Sequence, residues 1–198
     1  MKKIIALLLL LKIVIVFSQN GAPANPYYNG FNWTLTGTGL KDALTTKITT
    51  THTKELTYAQ AENALRYTDL DPADATNTNV LLVYGYSPNI CAYVDNNDFG
   101  TSADATFHRS RNKNADVATT NECAWNREHI FAQALSNPPL GQIGPGADAH
   151  MLRTCDVDRN TARGNKLYAS GNGNSGTVGA NWYPGDEWKG DVARILMY

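Results

Sequence analysis

Three stretches of this sequence gather the side chains that breaking a phosphodiester demands. They are Trp125-Asn126-Arg127-Glu128-His129-Ile130-Phe131, then Asp148-Ala149-His150-Met151-Leu152-Arg153, then Asp156-Val157-Asp158-Arg159-Asn160-Thr161-Ala162-Arg163-Gly164-Asn165-Lys166-Leu167-Tyr168. A water molecule must lose a proton near neutral pH, and a neutral imidazole, with an ordinary pKa of about 6.5, does this well. Charge that builds on the phosphate and on the departing oxygen must be stabilised. A hard cation does so when a carboxylate and an amide carbonyl hold it. A guanidinium can grip a phosphate through two hydrogen bonds. The three stretches contain each of these groups.

Such chemistry sets conditions on the elements that carry it. Glu128 and His129 are adjacent, so in a regular strand they face opposite sides, and both serve one site only if the strand ends or bends there. In the third stretch Val157, Thr161, Gly164 and Tyr168 fall on one helical face, with Asn160 and Arg163 at i, i+3 on its border. A helix there would present an amide oxygen and a guanidinium to the same small volume. Upstream, Leu40, Leu44 and Ile48 recur at the spacing of a short helix with one buried stripe. Thr57 and Gln60 form a capping box that opens a second helix, with Tyr58, Ala61 and Leu65 facing inward. That helix ends before Asp71-Pro72, because a residue preceding proline avoids the α region. Val80 to Tyr84 is apolar and partly β-branched and reads as a buried strand. Asp69, Asp71 and Asp74 read as a solvated turn, since they lack the glycine and closing glutamate of a calcium loop. Residues 94–122 are polar and rich in loops. At the other end, Val192, Ala193, Leu196 and Met197 suit a helix that buries one face, and the absence of a stop signal after it predicts a longer natural chain.

The bulk numbers narrow the setting. Lys2 and Lys3 precede an apolar run, Ile4 to Phe17, broken only by Lys12. This is the pattern of a signal peptide over residues 1–18 rather than a membrane anchor. The remainder, 19–198, is long enough for one substantial core and shows no repeat or linker, so one domain is expected. The whole chain holds 17 basic and 18 acidic side chains. Its first half is acidic, and the basic residues gather after residue 108. A polyanion would therefore meet a local patch and not a global positive field. Three cysteines, Cys91, Cys123 and Cys155, allow one disulfide in an exported protein and leave one thiol over. Trp125, Trp182 and Trp188 read as core or rim aromatics.

In order along the chain, Arg127-Glu128-His129, Asp148-x-His150, Asn160-x-x-Arg163-x-Asn165-x-x-Tyr168 and Lys189-Gly190-Asp191-Val192-Ala193-Arg194 resemble the bacterial endonuclease I family. The resemblance covers roughly residues 37–198, and the ordered series carries it. It implies an α+β fold of mixed helices and short strands around a ββα-metal (His-Me finger) core. It implies a secreted, extracellular or periplasmic endonuclease that cuts DNA, and RNA as well, with little sequence preference, leaving 5′-phosphates and acting as a monomer without a membrane. His129 would be the general base. Glu128 and Asn160 would hold magnesium or a similar ion such as calcium or manganese. Asp148 and His150 would play a structural or supporting part. The family's phosphate-stabilising arginine lies between the first two motifs, and residues 130–147 here contain none. Arg127, Arg153, Arg163 and Arg194 are the candidates, with Arg163 preferred as the catalytic one. The cysteine count also departs from relatives that carry several disulfides.

Two readings from other classes stand beside this one. A zinc-dependent hydrolase would use His129, His150 and Cys155 as ligands, although their spacing matches no compact zinc motif. A secreted binding or adhesion module without chemistry would suit the Asn- and Thr-rich loops.

Overall fold

Short antiparallel strand pairs alternate with helices in the computed structural model, which describes residues 27–85, 108–115 and 123–197. The mixed α+β class expected from the sequence is what is found. Residues 1–18, read from the sequence as a signal peptide, and Cys91 lie outside the described residues. Two units separate, Met1–Thr53 and Lys54–Tyr198. In the first, Tyr27, Tyr28, Phe31 and Trp33 pack their rings together, and helix α1 spans Gly37–Thr51. The predicted helix is present, but its predicted buried stripe is not. Leu40, Leu44 and Ile48 are only half-buried, and no residue of α1 is buried.

The second unit begins with α2, Tyr58–Thr68. The capping box forms as read: the Thr57 hydroxyl accepts from the Gln60 backbone, and the Gln60 side chain accepts from the Thr57 backbone. Two of the helix's orphan N-terminal donors are thereby satisfied. Ala61 and Leu65 pack on Leu152, with Tyr58 and Leu56 beside them. Strand β1 is Asn79–Leu81 and pairs with β2, His108–Ser110. The strand expected over Val80 to Tyr84 is thus cut short. Leu82, Val83 and Tyr84 are buried, as apolarity demanded, but they leave the ladder through a turn in which Tyr84 has φ +65°. The acidic turn is also corrected. Asp69 and Asp71 are buried, and Asp69 accepts from the Thr154 backbone at 2.8 Å, so it ties two elements together and does not face solvent.

The centre of the unit is β3, Trp125–His129, antiparallel to β4, Leu152–Asp156, with Glu128 opposite Arg153 and His129 opposite Leu152. Helix α3, Val157–Arg163, follows β4 at once and packs on both strands. Asp156 caps it, accepting from Asp158 and Arg159 backbone N–H groups at 3.0 and 3.1 Å, and holds the buried Arg109 at 3.0 Å. The helix is shorter than the spacing predicts. It stops at Gly164, whose φ of +52° ends the helical path, so Tyr168 does not continue the helical face but lies beyond it, bridged to Trp182. Strands β5, Gly176–Val178, and β6, Asn181–Tyr183, form a hairpin. Helix α4, Lys189–Leu196, buries Val192 and Ile195, whereas Ala193, Leu196 and Met197 are exposed. The predicted helix is correct and its buried face is rotated. The largest core cluster joins Val83, Tyr84, Ile130, Cys155, Trp182, Val192 and Ile195. Trp125 and Trp182 are core residues, as read.

Candidate active site

Pleating sorts the hairpin's side chains into two faces. Asn126, Glu128, Arg153 and Cys155 share one face; Arg127, His129, Leu152 and Thr154 share the other. Helix α3 covers the first face and α2 the second. Glu128 and His129 do start from opposite sides, as their adjacency requires. They meet because His129 is the last residue of β3 and a single cavity wraps the strand's end. Tyr58, Arg127, Glu128, His129, Asn160 and Arg163 line it, and its volume is about 330 Å³.

His129 is oriented from two directions. Its ring stacks on Tyr58 with centroids 5.7 Å apart. Its Nε2 lies 2.8 Å from the Gly146 carbonyl. A carbonyl only accepts, so Nε2 carries the proton and Nδ1 keeps its lone pair. Burial pushes the imidazole below its ordinary value. The Gly146 carbonyl opposes that shift, and the positive charges of Arg127 and Arg163 reinforce it. The ring is therefore neutral at neutral pH, the form that can take a proton.

Glu128 is almost completely buried. Its Oε1 accepts from the Tyr84 hydroxyl at 2.8 Å and faces Arg163 Nη1 at 3.3 Å. Burial pushes the carboxyl up to about 7, against the lowering effects of Arg163 and of the Tyr84 hydrogen bond. Its Oε2 has no hydrogen bond among the described residues. Asn160, midway along α3, donates its amide nitrogen to Asn126 Oδ1 at 2.8 Å and to the Arg127 carbonyl at 3.0 Å. This fixes the amide's orientation and leaves Oδ1 without a protein donor among the described residues. Two hard oxygens without protein donors, one anionic and one neutral, on the wall of a polar cavity fit a magnesium-like ion that keeps several of its waters.

Residues 36–198 match the Endonuclease I family. The chain belongs to that family. It is 38% identical over 168 residues to an extracellular ribonuclease of Bacillus amyloliquefaciens, covering 82% of this chain and 48% of that protein. It is 35% identical over 189 residues to an extracellular ribonuclease of Bacillus subtilis (strain 168), covering 89% of this chain and 55% of that protein. The chain spans about half the length of these curated relatives. No solved structure matches it.

The four site residues expected from the sequence, Glu128, His129 and Asn160 together with Arg163 as the preferred arginine, line one cavity. Their placements differ in kind. Arg163 donates to the carbonyls of His129, Ile130 and Gly164 at 3.0, 2.9 and 3.1 Å, and it backs Glu128. Its guanidinium therefore sits behind the carboxylate, holding the end of β3. Arg127, on the same cavity wall, lies over the Tyr58 ring at 3.8 Å and pairs with Glu62 at 2.5 Å. Arg153 and Arg194 line a different cavity together with His150. His150 and Asp148 form an exposed local contact at 3.1 Å. The zinc reading finds no matching geometry: Cys155 is fully buried, with its thiol 3.4 Å from the Val83 carbonyl, and His150 points to solvent. Among the described residues no three His, Cys, Asp or Glu side chains gather for a metal. Cys123 is disulfide-bonded and Cys155 is free.

Tyr84, Gly146 and Asn126 were missed by sequence reasoning. Tyr84 closes an apolar run that reads as core. Gly146 acts through a backbone carbonyl, which no residue type announces. Asn126 adjoins the motif, but nothing in its type distinguishes it from a surface amide.

Proposed function

We propose that this chain is an exported, divalent-metal-dependent endonuclease that hydrolyses phosphodiester bonds of DNA and RNA with little sequence preference. One observation carries the reading. A neutral imidazole with a free Nδ1 shares a polar cavity with two undonated oxygens, Glu128 Oε2 and Asn160 Oδ1. The names of the two relatives support RNA as a substrate and export as the destination. Among the described residues no helix is long and apolar enough to cross a membrane.

His129 Nδ1 takes a proton from a water positioned against the phosphorus, and Nε2–H remains on the Gly146 carbonyl throughout. Glu128 and Asn160 would hold the ion. When bound, it supplies a Lewis acid for the charge that grows on the phosphate and on the leaving oxygen. The 3′ oxygen departs and takes a proton from solvent, leaving a 5′-phosphate. Arg163 contributes by fixing Glu128 and the end of β3, a role that its four short contacts support better than gripping phosphate. Binding without sequence preference follows if the protein reads backbone phosphates and not base edges.

The test is plasmid nicking and cleavage of a structured RNA, each with magnesium and again with chelator, using wild type and His129→Ala. Cutting that needs the cation and disappears in the variant is expected. Cation-independent cutting, or wild-type rates from His129→Ala, overturns the proposal. A binding module without chemistry would leave both substrates uncut with or without the cation.

A further inference from the structure

We propose that Tyr84 is a positioning residue that aims the Glu128 carboxylate at the cation; this rests on the metal-dependent reading above. Tyr84 is fully buried, so its hydroxyl cannot reach a substrate. Its backbone has φ +65°, a conformation that a bulky residue rarely adopts and that persists only where the surroundings over-determine it. The clamps are visible on every side. Val83 N–H donates to the Thr154 carbonyl of β4 at 2.8 Å, Gly85 N–H closes the turn onto Leu82 at 3.0 Å, and Ser175 Oγ donates to the Tyr84 carbonyl at 2.6 Å. The Trp182 ring meets the Tyr84 ring edge-on at 5.5 Å.

This held turn delivers the hydroxyl to Glu128 Oε1 at 2.8 Å, across 44 residues of sequence. The Tyr168 hydroxyl lies within reach of both the Tyr84 hydroxyl and the Ile130 carbonyl, the latter at 2.9 Å; because Tyr84 gives its one proton to Glu128, Tyr168 donates its own to one of these two acceptors at a time. Tyr84 and Arg163 both approach Oε1, and no described residue donates to Oε2. The carboxylate is thus held by one oxygen with the other free to coordinate. A neutral phenol suits this task, because it orients the carboxylate without adding a cation that would repel the metal. A phenylalanine would fill the same core volume, so what the hydroxyl adds is its polar contacts, with Glu128 and with Tyr168.

The deciding experiment measures manganese binding by electron paramagnetic resonance in wild type, Tyr84→Phe and Glu128→Ala, each checked for folding by circular dichroism. Loss of a group that orients a metal ligand commonly weakens affinity about 10- to 100-fold. That weakening is expected in Tyr84→Phe, together with nuclease activity that recovers to within a few-fold of wild type at saturating cation. Wild-type manganese affinity in folded Tyr84→Phe, with Glu128→Ala impaired, overturns the positioning role alone. Wild-type affinity in Glu128→Ala overturns the parent reading as well. If Tyr84→Phe does not fold, Ser175→Ala carries the test, since it removes the hydrogen bond that clamps the Tyr84 carbonyl: weaker manganese binding supports the positioning role of Tyr84, and unchanged binding refutes it.

Discussion

Replacing Glu128 by glutamine should make the metal-free protein more stable and the enzyme inactive. Glutamine keeps the shape and keeps an Oε1 for Tyr84 and Arg163, but it removes the buried charge. In the folded protein the Glu128 carboxyl is pushed from an ordinary 4.5 up to about 7, chiefly by burial. A raised carboxyl holds its proton in the folded state over a range where the unfolded chain has released it. Stability must then fall as pH rises from about 4.5 to about 7 and level off above both values. At about 1.4 kcal/mol per pH unit, the ionised carboxylate costs about 3 kcal/mol at pH 8. For a domain of this size that corresponds to roughly 6–12 °C in thermal midpoint. Urea unfolding in chelator, from pH 4 to 8, measures it. Wild type and Glu128→Gln should coincide near pH 4 and diverge toward pH 8, with the variant the more stable. Added magnesium should reverse the order, because cation binding favours the ionised carboxylate and releases its proton. Parallel pH profiles for the two proteins would refute the buried charge as the origin of the cost.

Three other outcomes are expected. A Cβ on Gly146 would stand 1.8 Å from the Gly141 carbonyl oxygen, so Gly146→Ala must displace the carbonyl that orients His129; turnover should drop on the order of 100-fold, and wild-type turnover would dismiss the carbonyl's role. Asp156→Ala removes the α3 cap and leaves the buried Arg109 without this carboxylate; urea unfolding should show a loss of about 3–5 kcal/mol, and a loss below about 1 kcal/mol would contradict the network. The Cys155 thiol is fully buried and pushed well above its ordinary value by that burial; a thiol reagent should label it only after unfolding, and rapid labelling of the native protein would argue against the core position.

The sequence by itself determined what depends on residue type and short spacing. The capping box at Thr57 and Gln60 needs only four consecutive residues, and it formed as read. The ordered motifs from Arg127 to Arg194 identified the family, since a series of chemical types at set separations survives without knowledge of the fold. The α+β class followed for the same reason. Periodicity failed where an element's length or environment was at issue. Helix α3 stops at Gly164 because that residue takes a positive φ, which removes Tyr168 from the helical face. Tyr84 leaves its strand because the core and β4 hold it in a turn. Helices α1 and α4 form where expected, but α1 buries no residue and α4 buries a rotated face, because burial depends on what packs against a helix, and one sequence stretch does not contain that information. The site follows the same division. Glu128, His129 and Asn160 were legible as chemistry. That they meet is decided by β3 ending at His129 inside one cavity. The partners that hold them, the Tyr84 hydroxyl donating to Glu128 across 44 residues and the Gly146 carbonyl accepting from His129 across 17, are contacts between distant segments. Only the tertiary structure can supply these, because a hydrogen bond between remote residues is set by the path of the whole chain and leaves no local mark in its sequence.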